Sequence, residues 1–289
     1  MRIRPRRSAL YMPASNARAV EKARSLPCDV VILDLEDAVA PDMKEAARAA
    51  AVAAVREGGF GRREVVVRVN ALATPWGAGD LADIARAGPD AILAPKVDGP
   101  ADVAAYDAAI AAAPARTRLW CMIETARAIF ALEAIAAASA ESRLAAFVMG
   151  VNDLAKEMRA RQVPDRAPFA GALAMAVMAA RAHGLAILDG VHNEIEDLAL
   201  LERVCRQGVD FGFDGKTLIH PSHLETANRV FTPPAEDVAW SRAVIAAFAD
   251  PANAGRGALR VDGKLAELLH RDQARALVAV ADAIAQAGA

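Results

Sequence analysis

Charged side chains in this 289-residue sequence recur directly after short apolar runs, and these are the residues that could do chemistry. The first polar residues beyond successive runs are Asp34-Leu35-Glu36-Asp37, Arg68 and Asn70, Lys96, Glu124-Thr125, Asn152-Asp153, Asp189, and Asp214-Gly215-Lys216. Turns favour Asp and Asn for purely conformational reasons, so the aspartates alone carry little weight. Arg68, Lys96 and Glu124 have no such explanation. Glu124 and Asp153 follow successive runs, and two carboxylates with the remaining positions left to water and substrate is the usual way a protein holds Mg²⁺. Taken singly, either reads equally well as a helix N-cap or an ion-pair partner of Arg68 or Lys96. As a pair they are stronger evidence for a metal site than either is alone.

Bringing these residues together requires elements that end at one place. Apolar runs at 9–12, 30–33, 65–69, 91–94, 119–123, 145–149, 186–188 and 209–213 alternate with alanine-rich stretches at 43–56, 101–113, 128–138 and 170–183. Alanine is the best helix former, and the βα rhythm predicts a parallel sheet closed on itself. Eight runs predict an α/β chain with a (β/α)8 barrel over residues 1–231, whose strands all end at one rim. Beyond Pro233-Pro234 a helix is expected at 235–248, a hairpin at 259–263 and a last helix at 265–287. Residues 232–289 therefore form an extension outside the barrel, expected to act as a lid or an oligomerisation arm.

Other classes of function are excluded by composition and by absent motifs. Hydrophobic residues make up 55% of the chain, too many for a disordered one, and a net charge of −2 gives no global field for nucleic acid or anionic lipid. Cys28, Cys121 and Cys205 stand far apart and imply neither a disulfide framework nor a zinc knuckle, which suits a reducing cytoplasm. No apolar stretch approaches the roughly 20 residues that span a bilayer. The basic opening at 2–7 imitates the start of a signal peptide, but the apolar run after it breaks at Pro13-Ala14-Ser15-Asn16, so it reads as an exposed basic arm. Gly215-Lys216-Thr217 looks like the end of a P-loop, yet Asp210 stands where the first glycine is required. His223 reads as a surface or capping residue rather than a ligand, while His220, in Ile219-His220-Pro221, falls at the expected rim.

The motifs Ser8-Ala9-Leu10-Tyr11-Met12-Pro13, Asp34-Leu35-Glu36-Asp37, Val67-Arg68-Val69-Asn70, Ile123-Glu124-Thr125, Gly150-Val151-Asn152-Asp153 and Gly212-Phe213-Asp214-Gly215-Lys216 occur in order along nearly the whole chain. In them the sequence resembles the citrate lyase β-subunit-like branch of the HpcH/HpaI aldolase family. The resemblance implies a TIM barrel that binds Mg²⁺ through Glu124 and Asp153 and acts on coenzyme A thioesters of short hydroxy diacids such as malyl-CoA or citramalyl-CoA. It implies that Arg68 stabilises the enolate at the thioester oxygen and that Glu36 and Asp37 shape the same rim and orient metal-bound waters. It also implies that Tyr11, Arg18 and Lys22 hold the nucleotide and phosphates of coenzyme A, and that Ile219 and His220 contact the acyl portion.

In related lyases a carboxylate on the C-terminal lid of a neighbouring subunit is the general acid and base. Glu267 stands in the equivalent stretch where many lyases have Asp. The expectation from the resemblance is carbon–carbon cleavage into acetyl-CoA and a 2-oxo acid. Hydrolysis by a malyl-CoA thioesterase is the alternative, and a citrate lyase β subunit working on a carrier-protein thioester is a third reading. The expected assembly is a homotrimer or hexamer that exchanges lids.

Overall fold

Side chains along a β-strand point alternately to opposite faces, so in a closed barrel every second residue enters the interior. The computed structural model describes residues 4–288. Eight parallel strands close in sequence order: β1 (Ser8–Pro13), β2 (Val30–Asp34), β3 (Glu64–Arg68), β4 (Ala91–Ala94), β5 (Arg118–Ile123), β6 (Leu144–Met149), β7 (Ala186–Asp189) and β8 (Gly215–Leu218). The interior is packed by Ala9, Val30, Ile32, Val66, Leu93, Trp120, Met122, Ala146, Val148 and Leu188. Tyr11, Asp34, Arg68 and Glu124 lie two residues beyond Ala9, Ile32, Val66 and Met122, so the same alternation turns them into the barrel mouth.

Seven strands lie where the apolar runs predict them, and the eighth does not. Residues 209–213 contain the end of helix Leu198–Phe211, which Gly212 terminates at φ 95°. The true β8 is Gly-Lys-Thr-Leu, a segment with little strand character of its own. It fits because Lys216 is completely buried against Asp189, its register partner on β7. Gly215 is required here, since a Cβ would lie 1.8 Å from the carbonyl oxygen of Arg6.

The base of the barrel corrects another expectation. Arg2 and Ile3 of the basic opening lie outside the described residues, but Arg6 and Arg7 are no exposed arm. Arg6 makes a two-pronged ion pair with Glu64 at 2.7 and 2.9 Å, and its guanidinium stacks 5.0 Å from the Trp120 ring. Arg7 clasps Asp29 at 2.8 Å. These pairs plug the end of the barrel opposite the strand C-termini.

The chain divides into two compact units, Arg6–Arg229 and a second that begins at Val230 and includes Arg4 and Pro5. The second contains helix Ala235–Ala249, an antiparallel hairpin of β9 (Ala258–Val261) and β10 (Lys264–Glu267), and helix Leu268–Gly288. Asp262 and Gly263 turn the hairpin with φ of 47° and 81°, the left-handed pair that a two-residue turn needs. Its core is Val244, Leu259, Val261, Ala266 and Ala274. Among the described residues no helix is long and apolar enough to cross a membrane. All three cysteines are buried and unbonded.

Candidate active site

Arg68 is the centre of the mouth. It is the register partner of Asp34 on the neighbouring strand, and the pair is bidentate, Nε to Oδ1 at 2.6 Å and Nη2 to Oδ2 at 2.7 Å. Asp34 also accepts hydrogen bonds from the backbone N–H groups of Glu36 and Ala38, fixing the loop that follows β2. The Lys44 ammonium ties that loop down by donating to the carbonyls of Leu35 and Glu36. Tyr11 lies with its ring 4.9 Å from the Arg68 guanidinium, a cation–π contact. The remaining edge, Nη1, stands 2.8 Å from Glu36 Oε2 and 3.3 Å from Asp37 Oδ2. Glu36 Oε2 is buried and its contact with Nη1 lacks hydrogen-bond geometry.

Burial pushes the Glu36 carboxyl up to about 8, against the pull of Arg68, so it keeps its proton to a higher pH than an ordinary carboxyl does. Its folded value lies above the unfolded one. The associated stability is therefore complete below about pH 4 and is lost as the pH rises through about 8. In chelator-treated protein, E36Q is expected to match wild type near pH 5. Near pH 9 it is expected to be more stable, by a few kcal/mol on the scale of about 1.4 kcal/mol per pKa unit. Urea unfolding at the two pH values checks this, and parallel pH profiles for both proteins would show that Glu36 ionises normally.

The second half of the site begins at Met122, whose sulfur lies 3.7 Å from Arg68 Nη1 and 4.0 Å from the Tyr11 hydroxyl. Two residues on, Glu124 is almost completely buried. Its Oε1 accepts from the Lys96 backbone N–H at 2.8 Å, and Oε2 has no hydrogen-bond partner. Gly150 makes room for it: a Cβ there would come within 2.4 Å of the Glu124 Cβ and 2.6 Å of Oε2. Asp153 comes from helix Val151–Met158, and the Lys96 ammonium bridges the two carboxylates, 3.3 Å from Glu124 and in close contact with Asp153. Burial raises the Glu124 carboxyl above the usual range. Asp153 is less buried, and the hydrogen bond and charge of Lys96 outweigh that burial and hold it low.

Among the described residues no group of three His, Cys, Asp or Glu side chains is placed to hold a metal ion. The donor set is two carboxylates, one with an orphaned buried oxygen, and that set suits Mg²⁺ completed by water and substrate.

The other expected residues have different surroundings. Arg18 and Lys22 are exposed, one turn apart on helix Ala17–Ala23, away from the interior face made by Val20 and Ala23. Ile219 and His220 are exposed just beyond β8, where His220 Nδ1 lies 2.7 Å from the Ser222 hydroxyl. His223 is no surface residue: it is wholly buried, 3.1 Å from the Ile195 carbonyl oxygen through Nε2 and with its ring 6.0 Å from that of His192. Glu267 is half-buried at the end of β10 in the C-terminal unit, its backbone N–H donating to His270 Nδ1.

Asp189 and Lys216 also leave the mouth. Asp189 is held by Arg166 at 2.7 Å and by Lys216 at 2.9 Å. Beside Arg166, a cavity of about 190 Å³ is lined by Val151, Phe169, His192 and Val204, among others, and by neither Arg68 nor Glu124. Asp34 and Lys96 stand at strand ends in the sequence, but that position alone gives neither its role here, the clasp on Arg68 and the bridge between Glu124 and Asp153. The signal for Asp34 was its place opposite Arg68 in register.

The family model of HpcH/HpaI aldolase/citrate lyase matches residues 7–221. This chain belongs to the HpcH/HpaI aldolase/citrate lyase family. It is 47% identical over 281 residues to a (3S)-malyl-CoA thioesterase of Cereibacter sphaeroides, covering 97% of this chain and 96% of the relative. An L-malyl-CoA/beta-methylmalyl-CoA lyase of the same species is 35% identical over 307 residues, covering 97% and 96%. Among solved structures, CitE of Mycobacterium tuberculosis in complex with magnesium, acetoacetate and coenzyme A has a TM-score of 0.76 and 29% identity, over 98% of this chain and 100% of that one. The HpcH/HpaI family is one of enzymes of the aldolase and lyase type, and its eight-stranded barrel is the one found here.

Proposed function

We propose that this protein is a magnesium-dependent thioesterase that hydrolyses a malyl-type coenzyme A thioester. The observation that carries the reading is 47% identity to a (3S)-malyl-CoA thioesterase across almost the whole of both chains. The lyase relative, at 35%, supports the same substrate class and is further away, so the expectation of carbon–carbon cleavage gives way to hydrolysis.

The residues of the mouth suit that chemistry. Asp34 and Tyr11 hold the Arg68 guanidinium on two sides, so its charge is fixed before substrate arrives. Its Nη1 edge faces Glu36, whose charge burial disfavours, and the exposed Asp37, contacts from which a thioester oxygen can take it over. As negative charge grows on that oxygen, Arg68 stabilises it without having to move. Glu124 and Asp153 would hold Mg²⁺, which would act there as Lewis acid and as a template for the hydroxyl and carboxylate of the malyl end. Roles for Glu267 in proton transfer, for Arg18, Lys22, Ile219 and His220 in coenzyme A binding, and assembly as a trimer or hexamer extend the proposal from the family resemblance.

Purified protein given (S)-malyl-CoA and Mg²⁺ is expected to release malate and free thiol, and to stop when EDTA is added. Glyoxylate and acetyl-CoA as the products would overturn hydrolysis in favour of cleavage.

A further inference from the structure

Lys96 has a backbone that few residues adopt and a side chain in an unusual place. Its φ is 52°, in the left-handed region disfavoured for any residue with a Cβ. That conformation aims its N–H at Glu124 Oε1, 2.8 Å away, and the ammonium of the same residue lies between Glu124 and Asp153. The lysine thus touches both carboxylates assigned above to Mg²⁺. Its side chain is 37% exposed, against 1% for Glu124, so the ammonium can swing towards solvent while the buried carboxylate stays in place. The backbone contact to Oε1 need not break when it does, and Glu124 Oε2 is already without a partner.

We propose that Lys96 is a built-in counter-ion for this site, its ammonium holding the place between Glu124 and Asp153 that a divalent cation takes over. The inference rests on the metal reading of the two carboxylates. The charge balance explains why such a device is useful. Two carboxylates this close repel one another, and the ammonium leaves the trio at −1, whereas a divalent ion brings the pair to zero. A tethered ammonium is a competitor at high effective concentration, so it weakens metal affinity while keeping the metal-free site folded. Lys96 is a positioning residue in this scheme, acting on the carboxylates rather than on substrate.

The test uses EDTA-treated, dialysed protein titrated with Mn²⁺, the free ion being read by electron paramagnetic resonance. Removing the competitor in K96M is expected to tighten Mn²⁺ binding about tenfold or more, within the usual range of coupling between two ligands. Without metal, K96M is expected to melt below wild type, and saturating Mg²⁺ should raise its melting temperature more than that of wild type. K96R keeps the cation and is expected to bind Mn²⁺ no more tightly than wild type. If metal-free K96M does not fold, K96Q purified in Mg²⁺ and assayed by chelator competition reads the same affinity. Unchanged or weaker binding in the neutral variants, or equal tightening in K96R, overturns the role of Lys96 and leaves the metal site standing. Failure of wild type to bind Mn²⁺ at all overturns the metal assignment itself.

Discussion

Replacing Arg68 by lysine is expected to lower kcat for thioester turnover by about 10²–10³-fold, the usual effect of losing one preorganised donor at a developing oxyanion. The charge is kept in R68K, but the geometry is not. A guanidinium can satisfy both oxygens of Asp34 with one edge and still present Nη1 to the mouth, while its flat face rests on Tyr11. An ammonium on a flexible stem cannot do all three. The carboxylates of Glu124 and Asp153 are untouched by the change, so Mn²⁺ affinity is expected to stay within about threefold of wild type. Steady-state kinetics with a parallel metal titration separates the two readouts. A loss in kcat below tenfold would mean that charge at the thioester oxygen is stabilised elsewhere.

The largest effect on stability is expected at a residue outside the mouth. Asp189 is fully buried between Lys216, also fully buried, and Arg166, which is nearly so. One anion serves two cations. Burial and the neighbouring Arg166 push the Lys216 ammonium below its ordinary value, while both cations outweigh burial to hold Asp189 low. D189N keeps the shape and removes the only negative charge, leaving buried cations uncompensated, which costs about 3–5 kcal/mol. K216M is expected to cost clearly less, because Asp189 and Arg166 remain as a one-to-one pair. Urea denaturation of the two variants against wild type checks the order, and an equal or reversed order would mean that the trio is not limited by excess positive charge.

That same trio explains why the sequence was readable up to a point. Strands β1 to β7 are apolar runs that must be buried on both sides, and a local window is enough to find them. β8 is stabilised by an ion pair between Lys216 and a residue 27 positions earlier, so nothing in its own four residues marks it as a strand. The apolar residues 209–213 looked like a better strand but close a helix instead, because Gly212 provides the left-handed turn. The mouth followed a similar division. Arg68 and Glu124 could be found from their positions at strand ends, since strand alternation carries them into one space, and Asp153 from the opening of the helix that follows β6. The bridging position of Lys96 depends on a single backbone angle, and the grip of Asp34 on Arg68 depends on the register between two strands. Neither is written in the spacing of residues along the chain.

The plug at the base has a kinetic meaning. With Arg6 stacked on Trp120 and pinned by Glu64, and a solid layer of side chains above them, the barrel is a cup with one opening. Whatever reaches Arg68 must leave by the way it came, so arrival and departure share one path and each must wait for the other.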